Sequence, residues 1–238
     1  AEERKDRVTE LALGCVARLN RLIDDFLQTA RAPVLRPIQI SLDQLVQEVS
    51  ESFAHDPHAQ EVVELVVNTR PVQIQADPDR LRQVLWNLLS NAAQAMPEGG
   101  RIEVDLRPEP SLEGMTDGVA LNVRDEGYGI PPEDLPRIFD PFFTTRAFGE
   151  GGGLGMTIVE QVVREHAGRI EVHSAPGQGT EVSLYFPLSA GATITASAPT
   201  ADRTRSANIS NASRARDFTV PSGTPSAVAI SRWDRPST

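Results

Sequence analysis

Three groups of residues are placed to do chemistry. Asn87 and Asn91 lie four positions apart, so a helix carries both carboxamides on one side, in a stripe with Arg80, Gln83 and Gln94. An ordinary solvated face would more often carry Glu and Lys, and a carboxamide oxygen is a hard donor able to ligate Mg²⁺ together with phosphate oxygens and water. Asp125 ends an apolar run and is followed by Gly127 and Gly129, which let the backbone turn tightly and a flat ligand come close. A buried carboxylate there can accept a hydrogen bond from an exocyclic amine such as that of adenine. Gly151, Gly153 and Gly155 then open a second helix, and glycines before a helix N-terminus offer N–H groups and the positive end of a dipole to phosphates.

Two common phosphate-binding loops are excluded. Neither glycine cluster spells G-x-G-x-x-G, because Gly127 and Gly129 lead to Pro132, and Gly151 and Gly153 lead to Met156. A Walker loop needs Gly-Lys-Ser/Thr, and Lys5 is the only lysine among 23 basic residues.

The elements that must hold these residues follow from pattern. Asp77 and Pro78 supply an N-cap and a first-turn proline for a helix running to about Ala95, with Leu81, Val84, Leu85, Leu88, Leu89, Ala92 and Met96 on its core face. Ser41-Leu42-Asp43-Gln44 has the form of a capping box, and Leu42, Leu45, Val46, Val49 and Phe53 give the helix behind it one apolar face. Alternation and β-branching predict strands at 62–68, 72–75, 101–106, 119–124, 170–173 and 181–186. Helices interleaved with such strands predict an α/β fold, a two-layer sandwich with a mixed sheet covered on one face by helices.

Around this globular part, residues 41–188, lie three further segments. In residues 1–32 Val8, Ala12, Cys15, Leu19, Leu22, Phe26 and Thr29 alternate four and three apart, a seam narrow enough to need a partner helix. Residues 33–40 carry Pro33 and Pro37 and read as a linker, and residues 189–238, rich in Ser, Thr, Ala, Pro and Arg, read as a tail without regular structure. The net charge of -10 argues against nucleic-acid binding, and no run approaches the ~18 apolar residues of a membrane span. The lone Cys15 precludes an internal disulfide and reads as a small seam residue. The chain starts at Ala1 without methionine or a signal-like segment, and is read as a piece of a longer, cytoplasmic or membrane-anchored parent.

Five motifs carry a family resemblance. "NLLSNAA", "DEGYG", "FDPFFTTR", "GGGLG" and "PGQGT" occur in the order of the N, G1, F, G2 and G3 boxes of bacterial sensor histidine kinases, and the wording of "DPFFTTR" is similar to the nitrogen-regulation type. The resemblance spans residues 41–188 and implies the Bergerat ATP-binding fold, with residues 130–152 as a lid over the nucleotide. It implies Asn91 as the Mg²⁺ ligand, Asn87 at the phosphates, Asp125 on the adenine amine, Gly127 and Gly129 along the base, and Thr180 in support of it. Gly151, Gly153 and Gly155 fall at the phosphates, Arg146 where relatives place a phosphate-contacting cation, and Gln94 where many carry Lys. Ile130, Phe143, Thr145, Leu154 and Met156 complete the implied nucleotide envelope, while Phe139, Phe142 and Phe143 anchor the lid.

The implied partners are ATP with Mg²⁺, the receiver domain of a response regulator, and a second copy of the chain through a helical hairpin of which residues 1–32 form the second helix. Hydrolysing relatives carry glutamate where this chain has Asn87, and an amide lacks the basicity to activate water, so phosphoryl transfer is expected rather than hydrolysis. His55, His58, His166 and His173 do not fit the acceptor pattern, so the acceptor histidine is expected on a helix upstream. A serine-directed kinase of the anti-sigma type and a non-catalytic nucleotide-sensing module are the alternatives.

Overall fold

A computed structural model describes residues 35–56, 63–109, 118–146, 152–188 and 228–232. The heptad segment, His58, Gly151 and most of the tail lie outside these residues.

The order of elements is β1 (Ile38–Ser41), α1 (Leu42–Ala54), β2 (Val63–Thr69), β3 (Gln73–Ala76), α2 (Pro78–Gln94), β4 (Gly100–Glu109), β5 (Gly118–Asp125), a 3₁₀ turn (Leu135–Arg137), α3 (Gly155–Glu165), β6 (Arg169–Ser174), β7 (Thr180–Pro187) and β8 (Val228–Arg232). Six strands form the main sheet in the order β2-β4-β5-β7-β6-β8, and β1 pairs with β3 in a separate ribbon. Only β2 and β4 run parallel; the other pairs are antiparallel. This is the expected α/β architecture, a mixed sheet packed, among the described residues, against three helices.

The core forms where the helix faces meet the sheet. From α2 it takes Leu81, Val84, Leu85, Leu88, Leu89 and Ala92, from α3 Ile158, Val159, Val162 and Val163, and from β5 Val119, Leu121 and Val123. Each such side chain contributes roughly 1.5–3 kcal/mol of burial. Leu89, with no exposed surface, sits between the two asparagines, and Leu89→Ala would cost about 2–5 kcal/mol and loosen the helix that carries them.

Helix α2 begins as its sequence predicts. Asp77 Oδ1 accepts from the N–H groups of Asp79 and Arg80, at 3.1 and 3.3 Å, with Pro78 in the first turn. Helix α1 does not. Ser41 stands at the N-cap but makes no side-chain cap bond; the first turn is tied instead to the β2–β3 connection, the Leu42 N–H donating to the Val72 carbonyl at 3.0 Å and Asp43 Oδ1 accepting from Val72 N–H at 3.2 Å.

Two other boundaries differ from the sequence reading. Ile38–Ser41, partly inside the expected linker, pairs with β3. Val228–Arg232, inside the expected structureless tail, pairs antiparallel with β6 from Ser174 to Ile170. Both are short strands that gain their hydrogen bonds only by long-range pairing, which local pattern does not reveal.

Candidate functional site

One face of α2 gathers all three candidate groups. At its C-terminal end the Tyr128 N–H donates to the Ala95 carbonyl at 3.1 Å, which seats the Gly127–Gly129 loop on the helix. A quarter-turn earlier the lid arrives, with the Arg146 guanidinium donating to the side-chain carbonyl of Gln94. Asn87 and Asn91 face the start of α3: Asn87 Nδ2 donates to the Gly155 carbonyl at 3.4 Å, and a Cβ on Gly155 would lie 3.6 Å from Asn91 Nδ2. The same turn that offers free N–H groups at the head of α3 therefore lies against both carboxamides.

Asp125 ends β5 and is 7% exposed. Its Oδ1 accepts from Gly127 N–H at 2.8 Å and from Thr180 N–H at 3.1 Å, so the carboxylate is fixed while among the described residues no hydrogen-bond donor occupies Oδ2. Burial pushes its carboxyl above the ordinary value, against the opposing pull of the Gly127 and Thr180 N–H groups and the Arg124 charge. A buried, oriented carboxylate with one oxygen to spare can take a donor from a ligand.

The strand register sets its neighbours. Asp125 pairs with Thr180 across β5 and β7, and Thr180 pairs with Ser174 across β7 and β6. Ser174 Oγ accepts from Ile130 N–H at 2.8 Å, donates to the Gly179 carbonyl at 2.9 Å and lies 3.0 Å from Thr180 Oγ1. Sequence analysis passed over Ser174, although hydroxyls at both ends of a tight Pro-Gly turn signal side-chain-to-backbone bonding. Gly129 has φ +71°, and a Cβ there would sit 2.0 Å from the Ala175 carbonyl oxygen. Only glycine lets this loop close on the β6–β7 turn.

The segment expected to form the lid is tied down around its three phenylalanines. Phe139 is buried, and its carbonyl accepts from Thr157 Oγ1 at 3.1 Å. Phe143 packs against the core with the Arg137 guanidinium 4.4 Å over its ring, a cation–π contact. Phe142 departs from the expected anchoring role: its ring is 60% exposed, and it holds the lid through its N–H, which donates to the Gly153 carbonyl at 3.0 Å. Of the other expected envelope residues, Ile130 and Met156 pack partly against the core, Thr145 lies in the described lid, and Leu154 is buried, so that only its main chain can meet a ligand.

Arg80 and Gln83, placed by pattern in the same stripe as the asparagines, belong instead to a polar contact between the helices. Arg80 pairs with Glu165 at 3.7 Å and donates to Gln83 Oε1 at 3.3 Å, while Gln161 donates to Glu165 at 2.8 Å. Beside them His166 Nε2 accepts the Asp77 N–H at 3.0 Å and Nδ1 donates to the Val162 carbonyl at 2.8 Å. His55 Nδ1 bonds the Glu51 carbonyl at 2.7 Å, and His173 is a surface residue near Glu171.

Comparison with known proteins agrees with this geometry. Residues 76–190 match the histidine kinase-, DNA gyrase B-, and HSP90-like ATPase family. The sensor histidine kinase ZraS of Escherichia coli K12 is 36% identical over 172 residues, covering 72% of this chain and 35% of that protein. The sensor kinase CckA of Brucella abortus is 37% identical over 123 residues, 48% of this chain and 13% of that one. The chain thus spans about a third of the length of ZraS. Among solved structures, full-length ShkA in complex with AMPPNP is 30% identical with a TM-score of 0.62, covering 74% of this chain and 37% of that one. The mycobacterial sensor histidine kinase MprB is 28% identical with a TM-score of 0.55, covering 64% and 97%. A mixed sheet, an asparagine-bearing helix that collects two glycine segments and Arg146, and these likenesses lead to one assignment: the chain carries the ATP-binding domain of the bacterial sensor histidine kinase family.

Proposed function

We propose that this chain is the catalytic part of a sensor histidine kinase, transferring the γ-phosphoryl group of Mg-ATP to a histidine other than His55, His58, His166 and His173, for relay to the receiver domain of a response regulator. The observation that carries the reading is the single face of α2, from Asn87 to Ala95, that touches the Gly127–Gly129 loop, the lid through Arg146, and the head of α3 at Gly155. Base, lid and phosphate elements then share one rigid support, as phosphoryl transfer by positioning and charge neutralisation requires.

Asp125 Oδ2 takes the adenine amine, with Gly127, Gly129, Ile130 and Thr180 around the base. The N–H groups at Gly153, Leu154, Gly155 and Met156 meet the phosphates, with Gly151, Thr145, Phe143 and Arg146 closing over them. Asn87 and Asn91 fit a Mg²⁺ that arrives with the triphosphate. Among the described residues no group of three His, Cys, Asp or Glu side chains could hold a metal, so the remaining ligands are phosphate oxygens and water. Asn91 would hold Mg²⁺, which would supply neutralisation of the phosphate charge, and Asn87 holds the head of α3 in place through the Gly155 carbonyl. Among the described residues no helix is long and apolar enough to cross a membrane; the heptad pattern of residues 1–32 supports a homodimer, and the kinase reading a cytoplasmic setting.

A reconstitution tests this. The purified chain should bind Mg-ATP, hydrolyse it slowly, and take up no label from γ-labelled ATP. Adding a polypeptide that contains an acceptor-histidine hairpin helix should give an acid-labile, alkali-stable phosphoprotein. Strong self-labelling of this chain at one of its own four histidines would defeat the proposal.

A further inference from the structure

Building on the adenine assignment of Asp125, we propose that Ser174 is a specificity-determining residue: it fixes the direction of the Thr180 hydroxyl so that the base meets acceptors only. The register places Asp125, Thr180 and Ser174 in a row across the ends of β5, β7 and β6. Ser174, 3% exposed, has one proton to give and two lone pairs to fill. Three groups surround its Oγ. The Gly179 carbonyl at 2.9 Å can only accept, so it takes the Ser174 proton. The Ile130 N–H at 2.8 Å can only donate, so it fills one lone pair. The remaining contact, Thr180 Oγ1 at 3.0 Å, must then be one in which Thr180 donates.

That assignment has a chemical consequence. With its only proton committed to Ser174, Thr180 Oγ1 has lone pairs and nothing else to offer a base that meets it directly. Beside it, Asp125 holds Oδ1 on two backbone N–H groups and presents Oδ2 as an acceptor. Two adjacent acceptors favour a purine with a 6-amino group and reject one with a 6-oxo group, whose oxygen meets lone pairs on both sides. Ser174 touches neither base nor phosphate in this scheme; it acts through Thr180.

The test compares ATP with ITP, which carries the 6-oxo group on an otherwise similar base, by calorimetric titration of the whole chain. In Ser174→Ala the Thr180 hydroxyl is released to donate, and the ATP-over-ITP preference should fall about tenfold. In a Thr180→Val background the same Ser174→Ala change should leave the preference where Thr180→Val alone sets it. A merely structural Ser174 would weaken ATP and ITP alike; an unchanged ratio in Ser174→Ala would therefore overturn the proposal while Asp125 dependence of ATP binding stands. If wild type binds neither nucleotide, the adenine assignment falls and this inference with it. Should Ser174→Ala unfold, Ser174→Cys, whose thiol is a weak donor and acceptor, carries the comparison and should give a smaller loss of preference in the same direction.

Discussion

The two ends of the α2–α3 pair carry similar polar residues in different circumstances. At the start of α2, Asp77, Arg80 and Gln83 are engaged by one another and by Glu165 and His166 of the facing helix. About three and four turns on from Asp77, Asn87 makes one long bond of 3.4 Å to Gly155, and among the described residues no hydrogen bond reaches the Asn91 side chain. Native interiors pair their polar groups. A helix whose polar side chains are engaged by the facing helix at one end, with Arg80 Nη2 and Glu165 Oε2 held by their mutual ion pair rather than by hydrogen bonds, and which leaves carboxamides open at the other, separates a fastening from a receptor. The carboxyl groups of the two regions show the same contrast. Asp77 is held below its ordinary value, because its burial is outweighed by the N–H groups of Arg36, Arg80 and Asp79 and by the nearby His166, whereas burial carries Asp125 above it.

The largest effect should come from the receptor side. Asp125→Asn removes a charge-assisted acceptor from the base, and ATP affinity should fall roughly 30- to 150-fold, about 2–3 kcal/mol, with the urea midpoint near wild type. Unchanged affinity by calorimetry would merge the two regions into one structural class. Asn91→Ala should come next: the gain in ATP affinity on adding magnesium should shrink about tenfold, since Mg²⁺ takes few protein ligands. Magnesium tightening ATP to the wild-type extent in this variant would remove Asn91 from the metal site.

Glu165→Ala should show the opposite profile. It leaves Arg80, 13% exposed, without its acidic partner and should lower stability by about 1–2 kcal/mol, discounted for the partial exposure of the pair. ATP affinity should move less than threefold; a larger change than Asn91→Ala produces would show that the fastening also shapes the ligand site.

The smallest effects are in pH dependence, and their signs differ between the regions. Asp77 has a lowered folded-state pKa, so its contribution to stability is present above the ordinary 3.8 and is lost as pH falls through the lower folded value. Asp125 has a raised one, so its burial costs stability once it ionises, and ATP, which needs the ionised form, should be released as pH falls through that raised value. Titrations of ATP affinity and urea midpoint on one pH series should therefore separate, affinity declining while the fold persists. Asp125→Asn should flatten the affinity curve alone.

Periodicity was a good guide to the elements around the site. The helix predicted from Asp77 to about Ala95 is α2 (Pro78–Gln94), and the strands predicted at 119–124 and 181–186 lie within β5 (Gly118–Asp125) and β7 (Thr180–Pro187), because core faces repeat with the period of the element that buries them. Spacing alone could not divide Arg80 and Gln83 from Asn87 and Asn91, since all four share a stripe and only the opposing helix decides which of them is paired. Ser174 was legible only in part for a related reason: the hydroxyls flanking the Pro-Gly turn signal local bonding, but its role comes from three groups at positions 130, 179 and 180, one of them distant in the chain. The exposure of Phe142 was equally illegible. Its φ of +64° is a conformation that bulky residues seldom adopt, imposed here by the closure of the lid onto Gly153.

The pairing of β8 with β6 bears on how the molecule keeps its own company. Residues 170–174 form a strand with β7 on one side and 228–232 on the other. A protein shortened after Leu188 would leave β6 with a bare rim of amide and carbonyl groups, a template on which a second copy could add its own strand. Its solubility at high concentration, rather than its chemistry, would register the loss: the last strand works as a selvedge, keeping the woven edge from catching on its neighbours.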